Sequence, residues 1–206
     1  KKVRQELIDA IGVAVAAGIM SRSNHGNMSL RLPETDTFLM TGVSSFTAVQ
    51  ADQLVVLDLQ GNLVEGEIEA RNAEVIQMHA VVYRERPEVG SVLHTHSPFA
   101  TAFAVASRTI PLFYEAEVRN DILEGVPLAG YGPRGSDESV SNIAALLKAH
   151  DQIKGVLLIR TLDPVGGDLF NGCFVDIHKE HIVSVVSVII IGLAGNALGA
   201  EGVVLR

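Results

Sequence analysis

The stretch QLVVLDLQGNLVEG, residues 53–66, constrains the fold more than any other part of the chain. An apolar, β-branched run stops at Gln60-Gly61-Asn62, and a second apolar run starts directly after it. Gly and Asn accept the backbone a tight reversal needs, so the segment reads as two antiparallel strands joined by a hairpin. A hairpin cannot stand alone in water; it commits the chain to a larger sheet with something packed on it.

The neighbouring segments supply both. SRSNHGNMSLRL is a polar turn leading into a strand with Met28, Leu30 and Leu32 alternating, and TFLMTGVSSF is a further strand. AEVIQMHAVVYRERP has helical spacing through Val75, Met78 and Val82, opens on Glu74 and stops before Pro87. Taken alone, Glu74 is a carboxylate placed favourably in a helix's first turn. VGSVLHTH is a short apolar strand, and SPFATAFAVAS a helix with Pro98 in its first turn, where a missing N–H costs little. IPLFYEAEV and VPLAGYG are short extended pieces. SDESVSNIAALLKAH is a helix with Ser136 as N-cap and Val140, Ile143, Leu146 and Leu147 buried. KGVLLIRT is a last buried strand; beyond Leu169, β-branched content favours strand while length favours helix. The sum is an α/β chain: a mostly antiparallel sheet with helices on its faces, in one domain over residues 1–206.

Composition narrows the function. A net charge of −8 and a pI near 5.3 oppose nucleic-acid binding, which needs basic surface. One cysteine, Cys173, excludes an internal disulfide and a cysteine zinc cluster, so a transition metal here must use His, Asp or Glu. The N-terminal KKVRQELIDAIGVAVAAGIM is interrupted by Glu6 and Asp9 and reads as an amphipathic helix, with Leu7, Ile8, Ile11, Val15 and Ile19 near one face. The most apolar segment, residues 182–195, is shorter than the roughly 20 residues a bilayer span needs. These features point to a soluble, cytoplasmic protein with no membrane partner.

His94-Thr95-His96 carries the chemistry. Side chains two apart on a strand share a face, so the two imidazoles can converge on one cation while Thr95 points away. A catalytic zinc site ordinarily adds a third protein ligand and keeps one position open. Taken alone, an H-x-H pair is more often structural. His79 reads as a packing histidine within its helix, and His25 as a loop residue.

HGNMSLR, LMTGVSSF, AEVIQMHAVVYRERPEVGSVLHTHSPFATA, IPLFYEAEV and VPLAGYGPRGSDE together resemble, in order and spacing, the class II aldolase/adducin family. The resemblance spans roughly residues 5–160. It implies a three-layer α/β/α sandwich around a central, largely antiparallel sheet, and a homotetramer with active sites between subunits. By the same resemblance, His94 and His96 are metal ligands, for Zn²⁺ or alternatively Mn²⁺, and Glu74 is the acid/base. Tyr114 falls where some members keep a catalytic tyrosine; Asn27, Ser29, Thr41 and Gly42 correspond to loops that hold a substrate phosphate. Hydroxyl, amide and backbone N–H donors suit phosphate, which offers several strong acceptors.

Two departures stand out. The phosphate-binding Ser-Ser pair of the family reads Asn72-Ala73 here, beside Arg71, whose guanidinium can pair an anion in bidentate fashion. The family's third histidine belongs in an Asn-His-Gly motif; LLIRTLDPVGG puts Thr161 there, with Asp163 as a substitute that would give a two-His-one-carboxylate set. His178 and His181 read as surface or packing residues.

The expected function is a metal-dependent lyase, of aldolase or decarboxylase type, acting on a small sugar-like hydroxy-carbonyl compound through an enediolate. The substrate would be a sugar phosphate or a hydroxy or keto acid; epimerisation shares the same chemistry. The alternative is a metal-free, adducin-head-like association module.

Overall fold

A computed structural model describes residues 2–113, 115, 123–158 and 187–193 of the chain. Tyr114, Thr161, Asp163, His178 and His181 lie outside the described residues. The elements run α1 (Lys2–Ala16), β1 (Gly26–Arg31), β2 (Thr37–Thr41), a 3₁₀ turn (Ala51–Gln53), β3 (Leu54–Asp58), β4 (Leu63–Glu65) and α2 (Ala70–Ala73). They continue with α3 (Ile76–Glu85), β5 (Val89–Thr95), α4 (Pro98–Val105), β6 (Leu128–Ala129), α5 (Asp137–Ala149), β7 (Gly155–Leu158) and β8 (Ser187–Leu193).

The hairpin forms as its sequence predicts. Gly61 takes φ +89° at the turn, and the Asp58 carboxylate accepts from the backbone N–H groups of Gln60 and Asn62 at 2.9 and 2.8 Å. The Asn62 side-chain amide donates to the same carboxylate, and these bonds to the charged form hold the Asp58 carboxyl below its usual range. Among the described residues eight strands lie in the order β4-β3-β2-β1-β5-β8-β7-β6, every neighbouring pair antiparallel except β6 with β7.

Strand parity sorts the core into two layers. Phe38, Met40, Val55, Leu57, Val92 and Val156 pack with α3 and α5 on one face. Leu39, Leu54 and Leu93, each one residue out of phase, pack with α1 on the other, and Leu157 meets α4 through Ala104. This is a three-layer α/β/α sandwich around a largely antiparallel sheet. Ser136 caps α5 by accepting from the Ser139 N–H at 3.1 Å, and Ile143 and Leu147 are its buried residues, with Val140 and Leu146 partly covered.

Three expectations need correction. The helix read as opening on Glu74 is two pieces: Glu74 is the C-cap of α2, and α3 begins at Ile76. The break follows from Asn72, whose buried side chain donates to the Thr41 carbonyl at 3.0 Å and ties the short α2 to β2. The strand read over TFLMTGVSSF ends at Thr41, where its register with β1 breaks: beyond it the Gly26 N–H reaches the Ser44 carbonyl at 3.2 Å and His25 bridges Ser45, one residue out of step with the Ser29–Met40 pairing. KGVLLIRT is not the last strand: β8, from the ambiguous apolar segment, inserts between β5 and β7.

β1 and β5 pack so closely that Gly26 has no room for a side chain. A Cβ there would sit 2.5 Å from the His94 carbonyl oxygen and 2.7 Å from the Met20 methyl carbon. Gly26→Ala should therefore destabilise the fold by about 1–3 kcal/mol. Urea unfolding measures it; an unchanged midpoint would show that β1 and β5 separate freely at this point.

Candidate active site

The β1–β5 register places Asn27 opposite His94 and Ser29 opposite Val92. Val92 belongs to the α3–α5 layer, so His94, two residues on, faces α3 as well. Thr95 faces the other way, its hydroxyl donating to the Ile19 carbonyl at 2.8 Å. Asn27 and Ser29 share the α3 face because Met28 between them packs against α1. From above, His79 and Tyr83, one helical turn apart on α3, reach down to the same place.

A continuous polar network results, within an otherwise apolar layer. Ser29 Oγ lies 2.8 Å from the Tyr83 hydroxyl and 2.7 Å from His79 Nδ1. His79 Nε2 is 3.4 Å from Asn27 Oδ1, and His94 Nδ1 approaches the same oxygen at 2.5 Å. Asn27 Nδ2 donates to Asn72 Oδ1 at 3.1 Å. Asn27, Ser29, Asn72, His79, Tyr83 and His94 are all buried. Burial lowers the His79 pKa to about 3 and raises that of Tyr83. Burial first, then the charges of His96, His79 and Arg134, push His94 well below the ordinary histidine value. Both buried imidazoles are neutral at pH 7, the form that binds metals.

His94 Nε2 has no hydrogen-bond partner; among the described residues it is the one buried side-chain nitrogen or oxygen in that condition. An unpaired buried polar nitrogen is costly and asks for an explanation. His96, half-buried just past β5, sets its ring 4.9 Å from the His94 ring at a tilt of 48°. A partnerless ring nitrogen on a neutral imidazole, braced at its other nitrogen and next to a second imidazole, fits a divalent cation. Among the described residues no group of three or more His, Cys, Asp or Glu comes together to hold one.

Glu74 is at the rim rather than inside. Its carboxylate is 54% exposed and takes Arg134 Nε at 3.0 Å, while Arg134 Nη2 donates to the Arg71 carbonyl at 2.6 Å. Arg134 is near enough to His94 for its charge to bear on that imidazole. Arg71 is exposed beside this pair. Of the residues expected to hold phosphate, Asn27 and Ser29 are engaged in the interior, as described. The Thr41 hydroxyl is buried and accepts from the Met28 N–H at 3.2 Å, and the Gly42 N–H is taken by Gln53. His79, Tyr83, Asn72 and Arg134 complete the arrangement without having been assigned any part in it from sequence.

The comparisons with known proteins agree with this fold. The family described as Class II Aldolase and Adducin N-terminal domain matches residues 5–161. The chain belongs to that family. A methylthioribulose-1-phosphate dehydratase of Hahella chejuensis is 36% identical over 104 residues, half of this chain and 49% of the relative. A probable L-ribulose-5-phosphate 4-epimerase of Mycoplasma pneumoniae is 27% identical, over 76% of this chain and 60% of its own length. An L-fuculose phosphate aldolase of Methanococcus maripaludis is also 27% identical, over 60% of this chain and 64% of its own. The chain thus spans about half to two thirds of the curated relatives it matches. Among solved structures, an L-fuculose 1-phosphate aldolase superposes with TM-score 0.69 at 22% identity, covering 94% of this chain and 76% of that one. The L-fuculose-1-phosphate aldolase of Thermus thermophilus gives 0.62 at 21%, covering 94% and 80%. The family therefore contains dehydratases, epimerases and aldolases on one fold, and among the described residues no helix is long and apolar enough to cross a membrane.

Proposed function

We propose that the chain is a metal-dependent carbon–carbon lyase acting on a small, anionic, sugar-like hydroxy-carbonyl compound. The observation that carries this reading is the orphaned, buried Nε2 of His94 beside the His96 ring. His94 and His96 would hold a divalent cation, Zn²⁺ or Mn²⁺, which supplies Lewis acidity to the substrate's adjacent oxygens. Glu74, at the rim, moves the proton. Arg71 and Arg134, side by side at the surface, receive the anionic group, a task for which guanidinium is suited. That pair, with Asn72 buried rather than facing outward, favours a carboxylate or a differently placed phosphate over the usual phosphate contacts. The three relatives are each named for a phosphorylated ketose, so sugar phosphates belong in the same test. The working unit is a homotetramer with sites between subunits; Phe99, 85% exposed in the first turn of α4 just past the histidines, puts large apolar surface beside them.

The test is reconstitution with Zn²⁺ or Mn²⁺, metal analysis, and assay on phosphorylated ketoses and β-keto acids. About one equivalent should bind to the parent and none to His94→Ala. Binding below about a tenth of an equivalent would remove the lyase reading in favour of a metal-free association module; full binding to His94→Ala would move the site elsewhere.

A further inference from the structure

We infer that Asn27 and Asn72 are positioning residues that set which nitrogen of His94 carries the proton, and that the Thr41 carbonyl is the anchor of this order. It rests on the proposed function only in saying what the freed nitrogen is for.

Donors and acceptors follow in turn from one fixed point. A backbone carbonyl can only accept, so the Asn72 group facing the Thr41 oxygen at 3.0 Å must be the Nδ2 amide. That turns Asn72 Oδ1 toward Asn27, 3.1 Å away, where it must meet the Asn27 Nδ2. Asn27 Oδ1 is then the atom 2.5 Å from His94 Nδ1, and an oxygen with no hydrogen requires that this nitrogen carry one. With the proton on Nδ1 and the ring neutral, Nε2 keeps a bare lone pair, and Nε2 is the atom left without a partner. Three side chains and one carbonyl therefore leave a single consistent assignment, with no rotor free to reverse it.

The second branch, built on the same oxygen, is consistent with the first. His79 Nε2, 3.4 Å from the same Asn27 oxygen, must also donate, so His79 Nδ1 accepts from the Ser29 hydroxyl at 2.7 Å. Ser29 Oγ, having given its hydrogen, accepts from the Tyr83 hydroxyl at 2.8 Å. Each hydrogen in both branches is given once, in the sense its donor's chemistry allows. Both branches end on Asn27 Oδ1, so this one oxygen accepts from two imidazoles. Partners of this kind behind a ligating histidine fix its tautomer and orientation, and their loss typically weakens metal binding about 10–100-fold.

The experiment uses metal-free protein with isotope-labelled histidine, at pH 7.5, in long-range ¹H–¹⁵N correlation spectra that show which ring nitrogen is protonated. His94→Gln identifies the His94 signals. The parent should show His94 protonated on Nδ1; Asn27→Ala should move the proton wholly or partly to Nε2. Asn27→Asp, which keeps an acceptor in place, should restore the parent pattern. Asn72→Ala, one bond further away, leaves the Asn27 amide free to flip and should raise the Nε2-protonated share; it serves if Asn27→Ala does not fold. Zinc affinity, read by competition with a chromophoric chelator, should fall about 10–100-fold in Asn27→Ala and recover in Asn27→Asp. A parent protonated on Nε2, or an unchanged tautomer in the alanine variants, overturns the inference. The expected tautomers in a parent that takes up no zinc support the ordering by Asn27 and overturn the metal-dependent reading instead.

Discussion

Glu74→Gln should lower kcat about 10²–10⁴-fold on whichever substrate the parent turns over, the range for removal of a positioned acid or base. The variant is informative because its structural cost is small. Glu74 and Arg134 are partly exposed, at 54% and 32%, and a pair of that kind is worth about 0–1 kcal/mol. The amide also keeps an oxygen for Arg134 and nearly the same volume. A large loss of turnover with an unfolding free energy within about 1 kcal/mol of the parent therefore reports on chemistry rather than on folding. A kcat within about threefold of the parent would reduce Glu74 to a surface ion-pair partner and return the proton transfer to another group. For Glu74 to serve as the proposed base, its carboxylate must exchange Arg134 for substrate, and an anionic group arriving at the guanidinium would release it.

The second large effect is acid lability of the metal-free protein. In the unfolded chain an imidazole takes up its proton as the pH falls through about 6.5. His79, sealed inside, stays neutral until about pH 3. Between those values the unfolded state binds the extra proton, so stability is full above about pH 6.5 and declines as the pH falls toward about 3. Each buried histidine contributes a slope of about 1.4 kcal/mol per pH unit well inside that window. His94 is lowered in the same direction by the same burial and adds a second proton to the slope. Urea unfolding at intervals from pH 7.5 to 5 measures this directly, and His79→Gln should remove one proton's worth of slope. A flat stability profile between pH 7 and 5 would mean that these histidines are protonated inside the fold, in conflict with their burial.

Much of the architecture is written in periodicities. The hairpin at Gly61, the cap at Ser136 and the alternation through Phe38-Leu39-Met40 are local, and local rules read them. The network around His94 was half legible in the same terms. Asn27 and Ser29 are polar residues two apart on one strand, and His79 and Tyr83 are polar-tipped residues four apart on one helix. Each pair marks a polar stripe on a face otherwise meant for burial, which is a signal that such stripes meet. What no spacing supplies is that they meet each other, because that depends on β1 lying beside β5, strands separated by three others and two helices in the chain. The break at Glu74 escaped for a related reason. No Gly or Pro marks it, and the apolar rhythm of α3 runs back through Val75; the cause is a bond from Asn72 to β2 across 31 residues. Arg134 and Glu74 are likewise joined only by the fold.

The placement of β8 bears on how the molecule is made. It is the last described strand in sequence, yet it stands in the interior of the sheet, between β5 and β7. During synthesis, β1 to β5 can pair as they emerge, but one side of β5 has no partner until residues 187–193 are available. Until then the strand that carries His94 is an edge strand, its unpaired N–H and C=O groups a template for other chains. The nascent chain thus passes through a sticky stage that ends only with late, long-range closure, which is slow and exposed to aggregation. Completion of the sheet and enclosure of the histidine strand become a single event, timed by the emergence of a segment more than ninety residues further along the chain.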